Sequence, residues 1–150
     1  MSLLHWTLTL DPLTTAIGFV HLQVEHTLGE HASLYATPSL RLYNGILPDV
    51  NGPYRGYGME MGVRGFFVGT APEGGWVMLR GVLASVRTTT PDQTAQLGGY
   101  SSALVGYTWI SNKQFVLSGG AGISWFNYGV LDYGVHGFAP ALHTNLGFAF

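Results

Sequence analysis

The chain has no cysteine, so neither a disulfide framework nor a thiolate metal site holds it together. Charged residues are scarce, 9% of 150, against ~25% in ordinary soluble domains. Long apolar runs are also missing: Gly, His, Arg or Ser interrupts each one. A membrane-crossing helix needs roughly 20 apolar residues in succession, so that class is excluded. With a net charge of -2 there is no electrostatic case for nucleic acid as a partner.

Mean hydropathy is nevertheless only +0.23. The place of charge is taken by 22 glycines together with Thr, Ser, Tyr and Trp. A chain that crosses lipid without helices must satisfy its backbone in a closed barrel. The length suits one domain over 1–150. Met1-Ser2-Leu3-Leu4 carries no basic region and Asp11-Pro12 breaks the apolar part, unlike a secretory signal. An exported barrel is therefore expected to have lost its signal ahead of Met1.

Alternation with a period of two marks strands. Eight such segments are predicted at 2–11, 17–28, 33–44, 56–69, 75–88, 96–110, 114–127 and 138–150. In the fourth, Tyr57, Met59, Met61, Val63 and Phe67 share one face, and Gly58, Glu60, Gly62 and Arg64 the other. The sixth is ambiguous, because Leu104 spoils the face opposite Ala103, Val105, Tyr107 and Trp109. Tight turns at 29–32, 71–74 and 111–113 alternate with longer connections at 45–56, 89–93 and 129–139. The connection at 12–16 is short where the alternation calls for length. Aromatics fall near segment ends: Phe67, Trp76, Trp109, Phe115, Phe148 and Phe150 at one, Tyr43, Tyr57, Tyr100, Trp125 and Tyr128 at the other. Two interfacial belts would be so placed. The fold class expected is all-β, an eight-stranded antiparallel up-and-down transmembrane barrel.

The last ten residues are the most specific. Leu142, Thr144, Leu146, Phe148 and Phe150 take one face, Ala141, His143, Asn145, Gly147 and Ala149 the other, and an aromatic ends the chain. This segment resembles the closing strand of a bacterial outer-membrane barrel, and the whole chain resembles small barrels of the OmpX and OmpA-transmembrane-domain type. More narrowly it is similar to a family of small barrels with Leu22-Gln23-Val24-Glu25, Gly62-Val63-Arg64-Gly65-Phe66-Phe67 and Ala71-Pro72-Glu73-Gly74. The resemblance implies an outer-membrane location with both termini in the periplasm, contact with lipid and lipopolysaccharide, and recognition of the Phe150 end by the barrel-assembly machinery. It carries no catalytic residue, and fold alone does not imply function.

The polar faces gather Glu25, Arg41, Glu60, Arg64 and Arg80 in the expected lumen, with His5, His21, Gln23, His143 and Asn145. Centring the 71–74 turn on Pro72 sets Arg64 opposite Arg80. Like charges so placed repel, so Glu60 or Glu25 is expected between them. Centring the third connection near residue 50 brings Arg41 beside Glu60. An ion network filling a narrow interior is favoured over a gated pore, since eight strands enclose room for little but side chains. His21, Glu25 and His26 do not read as a metal site: on a strand, positions four apart are ~13 Å apart, and His26 points the other way. No metal or other cofactor is expected. An enzyme acting on lipid esters, as some barrels of this size are, would need a nucleophile and a base; Ser124 and His143 lie on adjacent segments, but no nucleophile elbow or zinc motif is present. No catalytic residue is assigned, and a structural or interaction barrel is expected, with a narrow channel or a lipid A-modifying enzyme as alternatives. In the outer connections Tyr54, Arg55, Tyr133 and His136 are candidate contacts for a protein partner or a glycan.

Overall fold

The computed structural model describes residues 4–16, 19–41, 54–88, 95–111, 114–130 and 133–150. Among these residues the strands are β1 (Trp6–Leu10), β2 (Phe19–Thr27), β3 (Ala32–Arg41), β4 (Tyr54–Thr70), β5 (Glu73–Thr88), β6 (Ala95–Ile110), β7 (Phe115–Val130) and β8 (Tyr133–Ala149), with a short helix, α1 (Pro12–Ala16). Each strand pairs antiparallel with the next, and β8 returns to β1 to close an up-and-down barrel.

Side-chain alternation sorts the two faces. Met61, Val63, Leu79, Val105, Leu117, Ile123 and Leu142 are exposed on the outside, while Glu60, Arg64, Trp76, Leu104, Ser118, Ser124 and His143 are buried within. Leu104 resolves the ambiguity of the sixth segment: it faces inward and joins a small apolar cluster with Tyr35, Phe66, Trp76 and Met78. The carboxy-terminal segment divides as its sequence requires, with Ala141, His143, Asn145 and Ala149 buried and Leu142, Leu146, Phe148 and Phe150 exposed.

Four departures from the sequence reading have local causes. The wall is uneven: β1 has 5 residues and β8 has 17. β1 stops because Asp11-Pro12 starts a helix. The Leu13 and Thr14 amides donate to Asp11 Oδ1 at 2.9 and 3.2 Å, and Pro12 opens the helix where its missing N–H costs nothing. In the β4–β5 hairpin the strands end at Thr70 and Glu73, and a bulge at Phe67 lies between Phe66 and Val68. Turn and bulge together slide the register, so Arg64 faces Met78 and Arg80 faces Gly62. The two arginines are thus not cross-strand neighbours. β7 and β8 run up to residues 130 and 133, so His136 is a strand residue opposite Asn127 and not part of a long loop. Two aromatics expected in the belts face inward instead: Trp76 is 0% exposed, and Tyr100 lies under the Arg80 guanidinium, 5.6 Å from its ring centre.

Candidate functional site

The interior falls into two zones. At the end nearer the short turns it is a tight plug. Glu25 on β2 is the hub: its Oε2 accepts from Arg64 Nη1 at 2.8 Å, from Thr7 Oγ1 at 3.3 Å and from Gln23 Nε2 at 3.4 Å. The Ser33 hydroxyl donates to the other oxygen. Arg64 Nη2 donates to His143 Nε2 at 2.6 Å. An arginine can only donate, so the His143 proton sits on Nδ1. Asn145 Nδ2 links His143 Nε2, at 3.2 Å, to Gln23 Oε1, at 2.9 Å. Arg64 lies 4.7 Å from the Trp76 ring centre and 5.4 Å from that of Tyr35, so two aromatics shield the buried cation.

Glycines make room for these rings. A methyl group on Gly62 would come within 2.4 Å of the Tyr35 ring, and one on Gly106 or Gly120 within 2.4–2.5 Å of Trp76. The Trp76 indole N–H donates to Thr108 Oγ1 at 2.9 Å, and Thr108 pairs with Ser118 at 2.8 Å. Rings from β3 and β5 are thus matched by glycines on β4, β6 and β7, which closes the cross-section.

Above the plug, Glu60 Oε1 accepts from the Tyr35 hydroxyl at 2.9 Å and lies 3.7 Å from Arg80 Nη1. Arg80 Nε donates to Ser102 Oγ at 3.1 Å, and Ser102 meets Ser124 at 2.6 Å. Glu60 Oε2 has no partner among the described residues although Glu60 is 3% exposed. Toward the far end Gly58, Ala84 and Ala139 are small, half-buried inward positions, with His21, Tyr100 and Phe126 among them. Among the described residues this end of the lumen is less tightly sealed than the plug; it forms a vestibule with Glu60, Arg80 and the serine pair at its floor.

Of the five charged residues expected in the lumen, four form two separate pairs, Glu25 with Arg64 and Glu60 with Arg80. Among the described residues no carboxylate bridges two arginines. Arg41 is opposite Gly56, and Glu60 is opposite Thr37, so the third connection does not set Arg41 directly across from Glu60. The Arg41 side chain lies outside the described residues. The same holds for the side chains of Tyr54, Arg55 and Tyr133, whose backbones begin β4 and β8. His136 is exposed.

Ser124 and His143 do not meet: Ser124 is opposite Ala139 and bonded to Ser102, whereas His143 is opposite Gly120 and bonded to Arg64. His26 turns away from His21, stacking on Trp6 at 4.2 Å with its Nδ1 3.1 Å from the His5 carbonyl. Among the described residues no three His, Asp or Glu side chains gather as metal ligands.

Sequence reasoning overlooked Trp76 as a plug residue. The signal was present: Arg80 was already assigned inward, and Trp76 is two alternations away on the same strand. No family model, curated protein or solved structure matches the chain.

Proposed function

We propose that the protein is an integral outer-membrane barrel with a structural or interaction role, a lipid-embedded anchor or subunit that presents its vestibule and outer rim to a partner. The observation that carries this is the inversion of the faces. Leu79, Leu83, Val105, Ile123, Leu142 and Phe148 stand exposed outside, while Glu25, Arg64, Gln23 and Asn145 are sealed inside. Water would penalise that arrangement and hydrocarbon favours it. β4 to β8, at 16 or 17 residues, exceed the ~9–11 that cross a bilayer at a tilt. The short turns and both chain ends then lie on the periplasmic side, with Phe150 available to the assembly machinery. The vestibule opens outward, beside lipopolysaccharide and any protein partner.

A conducting pore is disfavoured because Tyr35, Arg64 and Trp76, all 1% exposed or less, fill the cross-section. Planar-bilayer recordings of the refolded protein test the choice. Silence is expected, and steady unitary conductance would favour the channel reading. Chemical crosslinking from the vestibule rim in intact cells tests the interaction role; the absence of any crosslinked species would count against it.

A further inference from the structure

The outer wall formed by β4, β5 and β6 is interrupted by a depression. Gly81 and Gly99 take outward positions there, among the exposed side chains of Met61, Leu83, Leu97 and Trp125. The groove measures about 640 Å³ and is lined wholly by described residues. A Cβ on Gly81 would meet nothing within 4 Å, so the space over it is open. Trp125, on one side of the groove, packs against Phe138 at 4.8 Å, and Tyr57 nearby is 62% exposed. Under the membrane reading such rings mark the level of the lipid headgroups.

Directly beyond that belt the register sets two like charges side by side. β4 and β5 pair without a shift from Tyr54↔Thr88 to Phe66↔Trp76, and Arg55 is opposite Arg87. Alternation puts Arg55 on the face of Tyr57 and Met59, and Arg87 on the face of Leu83. Both placements follow from the backbone, since neither arginine side chain is among those described. Cations directly across a strand pair are destabilising. With only six Lys and Arg in the chain, the pairing is no by-product of a generally basic surface. An anion held between two guanidinium groups turns that repulsion into binding, and the arginine fork suits phosphate because it donates two parallel hydrogen bonds.

The spacing of the two features fits one molecule. Arg87 is opposite Ala95 and Ser85 is opposite Leu97, so the groove begins one alternation below the arginine row. Two residues of strand span roughly 7 Å, a gap that a glycerol or sugar linker bridges. We infer that this wall holds one phosphorylated lipid of the outer leaflet, its phosphate at Arg55 and Arg87 and one acyl chain in the groove over Gly81 and Gly99. The site rests on the membrane reading above, which supplies the hydrocarbon and sets the open end of the β4–β5 hairpin at the outer surface. Charge favours a lipid over a second copy of the chain: a twofold contact on this face would bring two further arginines to the same rim.

Native mass spectrometry of the refolded barrel in uncharged detergent tests the site, with dioleoyl phosphatidic acid and dioleoyl phosphatidylcholine as probes. The two share their chains and differ in the headgroup. The wild type is expected to retain one phosphatidic acid at about tenfold lower concentration than phosphatidylcholine, the two arginines supplying the difference. Arg55→Gln with Arg87→Gln should abolish that preference. Gly81→Leu fills the groove without a clash and should weaken retention of both lipids. Heat-modifiable mobility reports that each variant is folded. A preference unchanged in the double glutamine variant would overturn the arginine site, and unchanged retention by Gly81→Leu would overturn the groove. Displacement of the lipid by inorganic phosphate would make free phosphate the ligand, and a dimer mass lost in Gly81→Leu would make a second copy the occupant; either overturns the lipid site. In all these cases the barrel still folds in detergent and the membrane reading stands. A protein that folds without detergent and retains neither lipid would overturn both.

Discussion

Arg64 donates to Glu25 across 2.8 Å with both side chains all but sealed from solvent, 1% and 3% exposed. Two charges so deep are tolerable only as a pair. Glu25→Gln leaves the guanidinium without its counter-charge, and a loss of about 3–5 kcal/mol is expected. The double variant Glu25→Gln with Arg64→Met should recover much of it, because the pair as a whole adds little net stability over well-packed neutral groups. Urea midpoints of the refolded barrel in vesicles read both values.

The second pair is looser. Arg80 stands 3.7 Å from Glu60, and the two side chains are 8% and 3% exposed. Arg80→Met leaves the buried Glu60 carboxylate with the Tyr35 hydroxyl as its donor, and a loss of about 3 kcal/mol is expected, the low end for a stranded buried charge. Adding Glu60→Gln should recover part of it. A loss below about 1 kcal/mol for Arg80→Met in the same titration would show that Glu60 is not a buried partner of Arg80.

Packing of the plug makes a coupled expectation. Gly62→Ala drives a methyl group into Tyr35, and overpacking of this kind costs about 1–3 kcal/mol. In a Tyr35→Ala background the clash is gone, so Gly62→Ala should cost far less there. A double-mutant cycle measures that difference directly; additive costs would mean that Tyr35 does not lie over Gly62.

On the outer face, Leu79 is 62% exposed midway along β5. Leu79→Arg is expected to destabilise the vesicle-embedded protein by about 2–4 kcal/mol, as a cation near the bilayer midplane does. A change of a few tenths would place that face in water.

Much of this was legible in the sequence because a strand's faces follow from counting by two. The terminal segment needed only the positions of Leu142, Leu146, Phe148 and Phe150 to be sorted correctly. The polar members Gln23, Glu25 and Asn145 were placed inside by the same arithmetic. Register was the weak point. A single extra residue at Phe67 and a turn half a step from Pro72 separate Arg64 from Arg80, and neither leaves a mark in composition. Trp76 and Tyr100 misled because an aromatic near a strand end fits a membrane belt as readily as a lumen. What excludes the belt for Trp76 is the pair of facing glycines, Gly106 and Gly120, which lie on other strands and become its neighbours only once the sheet is assembled. The termination of β1 at Asp11-Pro12 was visible as a short connection, but its consequence for β8 appears only in the closed wall.

Under the proposed membrane reading, this barrel closes around a polar core and turns its apolar face to lipid. Electrophoretic mobility of the refolded protein in detergent, heated against unheated, with circular dichroism on the same sample, tests it most directly. A strand-rich spectrum with a band that shifts on heating, obtained only in detergent or lipid, is the expected result. A strand-rich protein that stays soluble and folded without detergent, with one band under both conditions, would contradict it.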